Sequence, residues 1–111
     1  MSQHVEVHVT AGTREEVVRI ADAVVEGRVA AGAQISGPIS STYRWKGEIQ
    51  RNNEYLVLMK TTQQRLDALV KVVRETHFYE TPEIVAAPIE GGLAKYRDWI
   101  TEETAEPTSC A

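Results

Sequence analysis

AQISGPISSTYRW (residues 33–45), the pair Lys46-Gly47, and EIQRNNEYLVLMKT (residues 48–61) form the stretch that decides the fold. The first arm is rich in β-branched residues, which favour strands. Lys46-Gly47 between them reads as a tight turn, so the chain folds back as a hairpin. Gly37-Pro38 interrupts the first arm. Proline donates nothing to a ladder, so a bulge or an edge position is expected there. The second arm ends in a continuous apolar run over residues 55–59. Length is the unusual feature. Gln34 to Trp45 is a dozen residues, roughly 40 Å at about 3.3 Å per residue. A compact domain of this size has a radius of gyration near ~13 Å. The hairpin therefore matches or exceeds its own domain's diameter, and its tip at Tyr43, Arg44 and Trp45 projects. A projecting hairpin with free edges invites pairing with another chain, and closed homo-oligomers are the usual outcome. A stable oligomer is predicted.

On the N-terminal side, residues 4–10 alternate. Val5, Val7 and Val9 face one way and His4, Glu6, His8 and Thr10 the other, a strand with one buried face. Thr13 with Glu16 is a capping box, and Val17, Ile20, Ala21, Val24, Val25 and Val29 recur at helical spacing. A helix over residues 13–31 is expected, ended by Gly32. On the C-terminal side, Thr61 with Gln64 reads as a second capping box. Leu66, Leu69, Val70 and Val73 carry a second helix to about residue 76. HFYETPEI (residues 77–84) breaks it, because Pro82 forces Thr81 out of helical geometry. Residues 83–90 read as a final strand with Pro88 at an edge or bulge. After Gly91-Gly92, Leu93, Tyr96, Trp99 and Ile100 mark a short third helix. The order β-α-β-β-α-β plus a terminal helix defines an α+β, ferredoxin-like sandwich with an antiparallel sheet. Two helices cover one sheet face and leave the other open. The domain is expected over residues 4–104, with a polar, flexible tail over 105–111.

Composition sets the outer bounds. The 111 residues suit one domain. At 42% hydrophobic and 25% charged, the chain is neither collagen-like nor disordered. Twelve Lys+Arg against sixteen Asp+Glu give a net charge of −4, and the pI is near 5.4. A non-specific nucleic-acid binder usually carries a basic excess, so nucleic acid is not expected as a partner. The single cysteine, Cys110, makes no internal disulfide and fits a reducing compartment. The N-terminal residues lack the pattern of a signal peptide, and no apolar run approaches the ~20 residues of a membrane helix. A cytoplasmic protein without membrane contact is expected.

Few residues carry chemistry. His77, Tyr79, Glu80 and Glu83 cluster where the second helix ends. An imidazole and a carboxylate three residues apart in a turn suit zinc or copper(II). The helix dipole also favours a histidine in a last turn without any metal. His4, Glu6 and His8 share a strand face; His4 and His8 lie ~13 Å apart, too far for one ion, and the plain reading is a polar face. Tyr43, Arg44, Trp45 and Lys46 at the hairpin tip suit an interface anchor or an anionic pocket between subunits, toward which Lys60 is placed to face. Trp99 and Tyr96 anchor the last helix. No phosphate-cradling loop, nucleophile elbow or paired-cysteine zinc pattern is present, so an enzyme is not expected.

AAGAQI (residues 30–35), STYRWKGEI (41–49), LVLMKTT (56–62), HFYETPEI (77–84) and YRDWI (96–100), in this order, resemble the CutA divalent-cation tolerance family. The resemblance implies a ferredoxin-like fold and a homotrimer whose long hairpins pair between subunits, similar in architecture to the PII nitrogen-signalling trimers. It also implies a response to divalent metal ions, with copper(II) or zinc as the metal and His77 and Glu80 as its ligands. No organic cofactor is expected. The PII likeness carries an alternative: a sensor binding a small effector in intersubunit clefts lined by Tyr43, Trp45, Lys60, Tyr79, Glu80 and Glu83. Family members often have a cysteine after the first helix; this chain has Gly32 there, and so lacks the thiolate that would favour copper(I).

Overall fold

The computed structural model describes residues 3–77 and 82–106. Strand β1 (His4–Ala11) follows the expected alternation, with Val5, Val7 and Val9 buried and His4, Glu6 and His8 half-buried on the reverse face. Helix α1 (Arg14–Glu26) starts at Thr13, whose hydroxyl accepts the Glu16 amide at 3.2 Å. It ends earlier than its apolar periodicity suggests. The chain leaves the helix at Gly27, and Arg28 takes a left-handed conformation with φ 58°. Val29 and Ala30 still fill the core, with both amides bonded to the Val24 carbonyl. Their burial mimics helical spacing, and Gly32 opens the next strand instead of capping the helix.

Strands β2 (Gly32–Trp45) and β3 (Glu48–Thr62) form the long hairpin. Lys46 and Gly47 both have positive φ, 51° and 81°, the two-residue turn that matches strand twist. The ladder register slips between Ser36 and Ile39, so the bulge lies at Gly37-Pro38, as the sequence suggests. Within β3, Val57, Met59 and Thr61 face the core, while Leu56, Leu58 and Lys60 face the other side. This alternation corrects the second capping box. Thr61 is a buried strand residue, and Thr62 supplies the cap, accepting the Arg65 amide at 3.3 Å. A single 3-10 turn (Gln63–Arg65) leads into α2 (Leu66–Thr76). Strand β4 (Ile84–Pro88) is shorter than expected, and α3 (Ala94–Glu103) follows.

All pairings are antiparallel, in the order β2-β3-β1-β4. Helices α1 and α2 pack on one face through Val17, Ile20, Val24, Leu69 and Val73 against Val5, Val7, Val9, Val57 and Met59. Helix α3 lies on the opposite face. His4, which points away from that core, meets Thr101 at 2.8 Å, and the Trp99 ring packs over Gly32 so closely that a Cβ there would sit 3.3 Å from it. The face expected to be bare is thus closed at one end. Its middle, with His8, Leu56, Leu58 and Val85, is left to solvent in part, and Val85 is 53% exposed. The hairpin draws the molecule out to 51 × 32 × 22 Å, with a radius of gyration of 14.9 Å.

Candidate functional site

His77 caps the C-terminus of α2, and its ring is wholly buried. Nε2 lies 2.6 Å from the Thr10 carbonyl oxygen. A carbonyl only accepts, so Nε2 carries the proton and donates. Nδ1 lies 3.3 Å from Glu16 Oε2, a carboxylate with 3% of its side chain exposed. The imidazole therefore ties the end of β1, the first turn of α1 and the end of α2 together. Sequence reasoning missed Glu16 as a partner because its spacing from Thr13 explains it as a capping residue.

This placement bears on metal binding. Neither ring nitrogen of His77 faces solvent, so the residue as placed does not present itself to an ion beside the second helix. Its expected companions Glu80 and Tyr79 lie outside the described residues, and so does Cys110. Glu83 is described and exposed, just ahead of β4. Among the described residues no three His, Cys, Asp or Glu side chains come together as a metal cage. At Gly32 the Trp99 ring occupies the space next to the backbone.

Tyr43 and Trp45 stand two apart at the end of β2 and share a face of the hairpin tip. They are 42% and 47% exposed, and the Lys46 ammonium sits 5.9 Å from the centre of the Trp45 ring. Ile49, across the ladder from Arg44, is 54% exposed on the other face. Lys60 does not join them within one chain. It pairs with Gly32 at the far end of the same hairpin, roughly 40 Å of ladder away. Its ammonium lies 3.7 Å from Glu6 Oε2 and 3.4 Å from Gln34 Oε1. The other Glu6 oxygen is 2.8 Å from His8 Nε2. A polar ladder of Gln34, Lys60, Glu6 and His8 thus crosses three strands on the face away from α1 and α2. The alternation of β1 placed Glu6 and His8 on one face; their pairing with Lys60 needed the β1–β3 register.

An antiparallel β2-β3-β1-β4 sheet, two helices on one face and an overlong central hairpin define a ferredoxin-like protein with an extended β-arm. Residues 5–103 match the family model described as CutA1 divalent ion tolerance protein, and the chain belongs to that family. The divalent-cation tolerance protein CutA of Thermus thermophilus is 46% identical over 91 residues, covering 81% of this chain and 88% of that protein. The chloroplastic CutA 1 protein of rice is 38% identical over 100 residues, 90% of this chain and 56% of that protein. The chain thus spans just over half the length of this plant relative. Crystal structures agree in fold. Rice CutA1 superposes with a TM-score of 0.90 at 36% identity, covering 96% of this chain and 97% of that one. The Thermus protein gives 0.90 at 40% identity, covering 92% and 99%. Among the described residues no helix is long and apolar enough to cross a membrane.

Proposed function

We propose that the chain acts in divalent-cation tolerance as a homotrimer, non-enzymatically, with copper(II) or zinc as the ion it handles. The observation that carries the assembly is the exposed apolar tip of the hairpin. Tyr43, Trp45 and Ile49 stand out from a ladder drawn well beyond the helices that cover the rest of the sheet. Covering the open half of Trp45, on the order of 100 Å², contributes roughly 2–3 kcal/mol at about 25 cal/mol per Å². Repeated at each contact of a closed ring, such anchors hold subunits together. The family resemblance supplies the number three and the divalent cation.

Sedimentation of two variants tests this. Trp45→Asp places a charge at the anchor and is expected to release smaller species at micromolar concentration. Trp99→Ala removes a ring that packs on its own domain and is expected to sediment as the wild type does. Equal trimer fractions for the two variants would overturn the role of the hairpin tip.

A further inference from the structure

His8 is oriented as a metal ligand is oriented, and we infer that it supplies a divalent-cation site formed jointly by three copies of the chain. Its Nε2 lies 2.8 Å from Glu6 Oε1. A carboxylate only accepts, so Nε2 carries the proton and the lone pair is on Nδ1. Nδ1 has no partner among the described residues. A histidine that gives its second ring N–H to a carboxylate, fixing tautomer and ring orientation, is the usual arrangement behind a metal-bound imidazole. Glu6 is itself held, by the Lys60 ammonium at 3.7 Å from its other oxygen, and Lys60 by Gln34. The β1–β3 register sets Lys60 opposite Glu6 and Leu58 opposite His8, and the Lys60 ammonium is engaged by Glu6 and Gln34.

One chain cannot complete the site. The register partners of His8 are Leu58 on β3 and Val85 on β4, both without donor atoms. His4 is turned toward Thr101 under α3. The half-open apolar strip of Leu58 and Val85 around His8 is the part of this face that α3 leaves uncovered, and it belongs to the same sheet as the projecting hairpin. The inference rests on the trimer reading. In this reading the strip lies at the axis of a closed ring of three, so that three His8 side chains face one another there. Three imidazoles plus a water are a recognised zinc set, and imidazole suits copper(II) equally.

The test is titration of the full chain, stripped of metal by chelation, with zinc chloride, while light scattering reads the mass in the same buffer. The expected result is about one zinc per three chains, uptake abolished in both His8→Ala and His8→Gln, and affinity lowered about 10–100-fold in Glu6→Gln, whose amide orients the ring less well. The trimer mass is expected to persist in these variants. A trimer that takes up no zinc, one ion per single chain, uptake unchanged in both His8 variants, or loss only in His77→Ala overturns the site and leaves the assembly standing. A single-chain mass overturns both, and the scattering signal separates that outcome from the others.

Discussion

The Glu16 carboxylate stands 3.3 Å from the buried Nδ1 of His77. Removing it in Glu16→Ala takes this partner from a ring that water does not reach. The expected loss is about 1–3 kcal/mol in the denaturant midpoint; Glu16→Gln, which keeps a polar group beside Nδ1, is expected to lose less. Gly37 is constrained by space as well as by conformation. Its φ is 146°, and a Cβ there would lie 2.6 Å from Tyr55 Cδ2 and 3.2 Å from the Glu54 carbonyl oxygen. Gly37→Ala is expected to destabilise by roughly 2 kcal/mol or more, measured by urea unfolding. At this scale much of the site was hidden from the sequence. The position of His77 at the end of α2 was legible from helical spacing and Pro82. Its burial was not, because Thr10 and Glu16 lie far from it in the chain and reach it only when β1 and α1 pack against α2.

Elements were more legible than contacts. The alternation of β1, the Lys46-Gly47 turn and the bulge at Gly37-Pro38 each follow from local chemistry. The end of α1 does not. Val29 and Ala30 look helical because both are buried, while the break depends on Gly27 and a left-handed Arg28 whose carbonyl accepts from Arg65 and whose guanidinium reaches the Glu102 carbonyl oxygen. Those partners come from the 3-10 turn ahead of α2 and from α3, so no window around residue 28 reveals them. The place of α3 was likewise out of reach, since nothing local says which sheet face it takes. Its hold on the sheet is the Trp99 ring over Gly32, with Tyr96 5.3 Å away, and Ile100 buried beneath. Trp99→Ala is expected to cost roughly 2 kcal/mol, less than a fully buried ring would, and to lower amide-exchange protection in α3 ahead of that in α1. Uniform loss of protection across both helices would contradict this placement.

For the whole molecule, the length of residues 33–61 was the most informative quantity in the sequence. It anticipated a hairpin at least as long as its own domain, and the molecule is indeed drawn out, 51 Å along its longest axis with a radius of gyration of 14.9 Å against about 13 Å for a compact chain of this size. It did not anticipate that Lys60 and Trp45 stand at opposite ends of one ladder, so that a single chain forms no cleft between them. If folding and assembly are one process, thermal unfolding depends on concentration by mass action. The midpoint is expected to rise across a hundredfold increase in chain concentration, and a constant midpoint would show the folded unit to be one chain. The most direct test is light scattering of the unmodified protein at micromolar concentration. The expected mass is about three times the 12.4 kDa of the chain; a single species at 12.4 kDa would contradict the account.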